Sequence, residues 1–155
     1  MERMGYDDDT AFTLADDAAT IARVARTATA AQLRAVKLDE WSALEVLGHV
    51  ADMADIFAER VRRIVSEENP RLAGADQDAI HAERNNDQRD PMEFAKRIQA
   101  AHGEIVQLLA DRPNRERTGI HGEWGEVDAA HVAAYQARHA HGHVSDVAGL
   151  FPPSR

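Results

Sequence analysis

Near the C-terminus, "YQARHAHGHVSDVAGL" sets three histidines, His139, His141 and His143, at alternate positions. Imidazole nitrogens ligate divalent transition metals, and two of them at i and i+4 on one helix face can share an ion. At about 100° of rotation per residue, His139 and His143 lie about 40° apart, beside Val132, Gln136, Val147 and Leu150. His141 falls about 200° away and faces solvent. An H-x-x-x-H pair also arises by chance, as histidines that are merely solvated or hydrogen-bonded, so a third ligand matters. His49 lies within an apolar arc beside Met53 and Ile56, where a bare imidazole is costly unless something engages it. It sits about 9 Å from its helix start, and His143 and His139 about 9 to 15 Å from their helix end, at 1.5 Å per residue. Antiparallel helices would bring the three to one level. His102 lies inside an apolar arc of its own at similar depth, and periodicity does not choose between it and His49. His131, about 12 Å along the axis from His139, is too far to share an ion. His81 and His121 fall in or near loops and read as surface residues.

The surrounding composition narrows the chemistry. The chain has 155 residues, no cysteine and a formal net charge of −9. A thiolate zinc site and a disulfide framework are therefore excluded, and any metal must sit on histidine and carboxylate. The negative charge, interspersed with basic residues, argues against nucleic acid, which calls for a basic patch. No apolar run approaches the roughly 20 residues of a membrane span, and no signal peptide is visible, so a cytoplasmic protein is expected.

Alanine-rich, charge-rich sequence with few β-branched runs favours helix. Apolar residues return at helical spacing from residue 11 (Leu14, Ala18, Ile21, Ala25, Ala28), although nothing marks where this first helix ends. A second helix starts at "WSALEVLGHV", where Ser42 and Glu45 form a capping box and Trp41 and Val46 occupy the staple positions. Its apolar face runs through Val50, Phe57 and Ile64 and stops before Pro70. Residues 70–90 form a long polar connection with one short helix around residues 77–83. Asp90-Pro91 starts a third helix carrying Phe94, Ile98, Ile105 and Leu109. A glycine-bearing loop follows, Asp128 caps the fourth helix, and Pro152-Pro153 forbids its continuation. No strand-like alternation is evident.

Four amphipathic helices imply an all-α four-helix bundle. Tight antiparallel neighbours need only about 2 to 8 linking residues, so the longer link can cross the bundle and leave helices two and three parallel. Residues 1–9 read as a mobile acidic lead-in, 10–150 as the bundle and 151–155 as a tail.

Two motifs in order, "WSALEVLGHVADMAD" and "HAHGHVSDV", resemble the W-S-x-x-E-x-L-x-H-x-x-D and H-x-x-x-H-x-x-Q-I signatures of the DinB/YfiT-like superfamily. The loop "HGEWGEVDAAHV" matches that family's approach to its last helix, and the likeness extends from about Leu14 to Gly149. The resemblance implies an up-down-down-up bundle and a three-histidine site on His49, His139 and His143, in preference to His102. Asp146 departs from the family, standing where it usually has glutamine, and would either alter the groups around the ligands or place a carboxylate near the ion as an optional ligand. Asp52 matches the family's aspartate but sits at the edge of the apolar face, where a surface role is at least as good a reading.

Three neutral imidazoles leave Zn²⁺ or Ni²⁺ an open position, which suits catalysis on a small molecule. Gln136 and Asp146 are the nearest groups that could hold the far ring nitrogens. The resemblance implies either a metal-dependent hydrolase or a transferase using a low-molecular-weight thiol, commonly as a homodimer. The competing readings are a non-catalytic, metal-binding stress-response helical dimer, and an apo bundle with vestigial histidines. Trp124 and its neighbouring glycines either line the pocket mouth or simply pack an ordered loop.

Overall fold

Capping chemistry fixes where the long helices begin. In the computed structural model, which describes residues 2–153, these are α1 (Asp8–Thr27), α3 (Ala43–Ser66), α5 (Pro91–Ala110) and α6 (Ala129–Leu150). Ser42 Oγ accepts from the Glu45 amide while Glu45 Oε1 accepts from the Ser42 amide, each at 3.1 Å, as the sequence motif requires. Asp90 caps α5 with Pro91 at its first position, and Asp128 accepts from the His131 amide to cap α6. α1 ends where Ala28 turns extended, and Thr29 at once caps the short helix α2 (Ala30–Ala35).

The four long helices form the all-α bundle. α3 and α1 each pack against both α5 and α6, which puts α1 opposite α3. Cross-helix contacts give the directions. Arg97 pairs with Asp55 and Arg62 with Glu104, so positions on α3 and α5 rise together and the two run parallel. His49 meets His143 while Phe57 stacks on Tyr135, so α3 and α6 run antiparallel. His141 pairs with Asp17 and Arg23 donates to the Phe151 carbonyl, so α1 and α6 are parallel. Leu14, Ile21, Leu47, Ile64, Phe94, Ile98, Ile105 and Leu109 are fully buried between the helices, supplying the apolar burial that drives the fold.

Short strands occupy the connections, which corrects the reading that no strand is present. β1 (Lys37–Leu38) and β2 (Trp41–Ser42) form a small antiparallel ladder before α3. β3 (Arg71–Leu72) pairs in parallel with β4 (Thr118–His121), which forms a hairpin with β5 (Gly125–Asp128). On β4 the buried positions are Gly119 and His121, so the alternation exists in burial but not in hydrophobicity. Gly125, at φ +75°, takes a left-handed conformation that glycine adopts without steric cost.

The link between α3 and α5 contains α4 (Gln77–Arg84) and a 3-10 turn over Asn86–Gln88. Asp52, for which a surface role is at least as good a sequence reading as orienting a ligand, is 2% exposed and holds this link down. Its Oδ1 accepts from Arg97 Nη2 at 2.6 Å and its Oδ2 from Asn86 Nδ2 at 3.1 Å. A position at the edge of an apolar arc becomes interior once a third element covers it. Asn86 lies so close over Gly48 that a Cβ there would come within 2.3 Å of the Asn86 side chain.

Two stability changes follow for the node under Asn86. Gly48→Ala should lower the thermal midpoint, at a cost of about 1–3 kcal/mol, because the amide must move or the helix must shift. Asp52→Ala should cost about 2 kcal/mol, chiefly by leaving the buried Asn86 amide without its acceptor, while Arg97 keeps Asp55. Calorimetric melts of both variants check this, and midpoints unchanged from the parent would contradict the packing.

Candidate metal centre

α3 and α6 cross with His49 facing His139 and His143. The three rings offer ligand atoms that all lie within 4.8 Å of one another, and among the described residues this is the group of three or more ligating side chains brought close enough to hold an ion. His49 Nε2 stands 3.3 Å from His139 Nε2. Ring centroids are 5.1 Å apart for both His49 pairs and 4.7 Å for His139 and His143. His49 is 3% exposed, and the two α6 rings are half-buried.

Burial sets the charge state of this cluster. Desolvation, then the neighbouring imidazoles, push His49 down to about 3. Desolvation and His143 push His139 down to about 4, and His143 is lowered by burial against the opposing charge of Asp146. All three rings are neutral at pH 7 and carry free lone pairs. Two facing nitrogens at 3.3 Å can share at most one proton, and His139 Nδ1 is buried without a hydrogen-bond partner. A neutral, nitrogen-only, converging donor set of this kind fits a borderline cation such as Zn²⁺.

His102 does not join the cluster. It is 1% exposed, its Nδ1 donates to the Leu14 carbonyl at 2.9 Å, and its Nε2 accepts from Gln136 Nε2 at 3.1 Å. One neutral tautomer satisfies both bonds, leaving no lone pair to offer. This contact takes up Gln136 Nε2, whereas Gln136 Oε1 is buried without a hydrogen-bond partner. Asp146 is exposed and, with His143, lines a second cavity beside Trp41. His141 is exposed as expected and pairs with buried Asp17 at 3.1 Å.

His81 and His121 are not the free surface residues that their loop positions suggested. His81 stacks on Trp41 at 4.1 Å and meets Glu45 Oε2 at 3.0 Å, while Trp41 packs on His49 at 5.0 Å. Glu45 thus serves the helix cap with one oxygen and α4 with the other. His121 is buried, and its Nδ1 accepts from the Glu123 and Trp124 amides, so Nε2 carries the proton. Trp124 stacks on His121 at 4.3 Å and lies 4.8 Å from Tyr135, so it both packs the hairpin and walls a cavity. That cavity, about 340 Å³, is lined by Phe57, Arg60, His121, Trp124, Tyr135 and His139 among others, within the usual size of small-molecule sites. Arg60 escaped the sequence reading, though an arginine between Phe57 and Val61 on the buried side of a helix was a visible signal.

The profile of a family described as the DinB superfamily matches residues 13–147. No curated protein matches the chain in sequence. Among solved structures it is similar to YfiT from Bacillus subtilis, described as a probable metal-dependent hydrolase with an unusual four-helix bundle topology. The TM-score is 0.76 at 19% identity, over 95% of this chain and 88% of that one. It is also similar to a mycothiol-dependent maleylpyruvate isomerase, with a TM-score of 0.69 at 12% identity over 90% of this chain. The chain spans 60% of that enzyme's length.

Protonation of the cluster should be visible in stability. His49 and His139 are held well below the ordinary value of about 6.5, so below that pH the unfolded chain takes up protons that the folded one refuses. Their contribution is complete above pH 6.5 and erodes as pH falls towards about 4 and about 3. The metal-free protein should lose thermal stability from pH 6.5 to 5, by at most about 1.4 kcal/mol per pH unit for each ring. His49→Gln should flatten that slope, and equal slopes in parent and variant would contradict the buried neutral state.

Proposed function

The chain belongs to the DinB superfamily, and from that membership we propose that it is a metal-dependent enzyme acting on a small molecule, with His49, His139 and His143 as the metal ligands. The observation that carries this reading is the convergence of three neutral imidazoles at the edge of a cavity. A divalent transition ion held there, Zn²⁺ or Ni²⁺, would supply a Lewis acid that lowers the pKa of a bound water or thiol. The remaining work falls to the chain. Burial of His49 keeps its ring neutral, and Trp41 packs against one side of it. Phe57, Trp124 and Tyr135 wall the cavity with aromatic surface that excludes water from one flank of the rings. His121, with its proton on Nε2, offers a donor on the cavity wall to a ligand's carbonyl or leaving group.

Two reactions suit the arrangement: hydrolysis of an ester or amide, and transfer of a low-molecular-weight thiol. Both are consistent with the descriptions of the similar structures. In the second, sulfur must arrive with the ligand, because the chain has no cysteine.

Protein purified without an affinity tag should contain about one transition-metal ion per chain by elemental analysis, as expected for a single three-ligand site. His49→Ala, His139→Ala and His143→Ala should each reduce that content strongly, whereas His102→Ala should leave it intact while costing stability. Retention of metal in all three triad variants would remove the assignment. A panel of esters, amides and thiol-conjugation substrates, run with and without chelator, separates enzyme from non-catalytic binder. Absence of chelator-sensitive turnover across the panel would favour the binder.

A further inference from the structure

The cavity beside the triad has a second chemical pole. Arg60, on α3, is 7% exposed and lines the same cavity as His139. Its guanidinium lies over the Phe57 ring, 4.9 Å from the centroid, and Nη2 donates to the Ala73 carbonyl at 2.7 Å. Nε and Nη1 make no hydrogen bond to protein among the described residues, and Arg60 forms no ion pair there. Placing a permanent charge in such surroundings without a counter-ion costs several kcal/mol. Burial also lowers its proton affinity, offset only at longer range by Glu59, Glu123 and Tyr135. Packing on Phe57 and holding one carbonyl explain the position of the side chain but use one of its five donors. The acidic side chains that share the cavity, Asp76 and Glu123, are both exposed, and Asp76 already caps α4 through its Oδ1.

We infer that Arg60 is the carboxylate-binding residue of this cavity, so that the ligand is an amphipathic small acid with its carboxylate on Arg60 and its reacting group at the histidines. Its apolar middle lies along Phe57 and Tyr135, whose rings stack 5.5 Å apart, with His139 a further 6.4 Å beyond Tyr135. A planar fork with donors to spare matches a carboxylate, and a desolvated charge makes the pairing stronger than it would be at the surface. The carboxylate supplies the counter-charge that the protein omits. This rests on the proposed reading of the cavity as the substrate pocket, but it concerns the end away from the ligating rings.

The test uses two probes of equal length, 6-mercaptohexanoate and 6-mercaptohexanamide, titrated calorimetrically into metal-free and zinc-treated protein. The acid should bind more tightly than the amide by about 10-fold or more in both preparations, the range of a charge-assisted hydrogen bond. Arg60→Met should bring the ratio close to one while leaving amide affinity unchanged, and Arg60→Lys should keep part of the preference. Far-UV circular dichroism verifies the fold of each variant; if Arg60→Met unfolds, Arg60→Gln takes its place. A wild-type ratio near one, or a ratio that survives loss of the guanidinium, overturns the inference. If zinc strengthens neither probe while the acid preference persists, the metal reading fails and the carboxylate site stands. If zinc strengthens both equally and the ratio is one, the carboxylate site alone fails.

Discussion

Removing imidazoles from water without giving them counter-charges is the constraint around which this molecule is arranged. α3 and α6 bring three rings to one level, and burial holds them neutral. A carboxylate in the same shell would have raised their proton affinity and left them charged at neutral pH. Among the described residues no acid pairs with these ring nitrogens, and Asp52 and Asp146 only partly offset the burial of His49 and His143. Asp52, one turn from His49, is occupied by Arg97 and Asn86, and Asp146 stays exposed. His102, buried in the same bundle, is neutral too, but its two nitrogens are both spent on hydrogen bonds. His49 and His102, both buried, therefore differ in hydrogen-bond satisfaction rather than in burial.

The connections carry as much of the site as the helices do. Asn86 over Gly48, with Asp52 beneath it, fastens the long link to the helix that bears His49. Farther back along the link, His81 stacks on Trp41, which in turn packs on His49. The β4–β5 hairpin seats His121 and Trp124 against Tyr135 and closes the other flank. Segments that look like polar filler thus provide walls, tied down by buried polar contacts and by aromatic packing.

That division explains what could be read from the sequence. The capping box at Ser42 and Glu45, the proline at the head of α5, the i, i+4 pair at His139 and His143 and the inward His49 are local signals, and each has a fixed geometric meaning. The family motifs ranked His49 above His102, which periodicity left tied; in the structure both His102 nitrogens are hydrogen-bonded, a state that periodicity does not report. The hairpin was illegible because its buried positions are a glycine and a histidine. Asp52 and His81 were misread for a common reason: their burial comes from elements distant in sequence, and a one-dimensional arc does not know what will cover its edge. Arg60 was legible in principle, as a cation inside an apolar stripe, but a stripe alone does not say that it borders a cavity.

His49 and His139 are separated by 90 positions in the chain. On a ribosome, His49 emerges long before His139 and His143, and the three rings meet only once α6 is released. Until then the nascent polypeptide carries a solitary imidazole, and the cluster forms only with the long-range α3–α6 contact, the type of contact that forms slowly. The cluster thereby marks a docked α3–α6 pair.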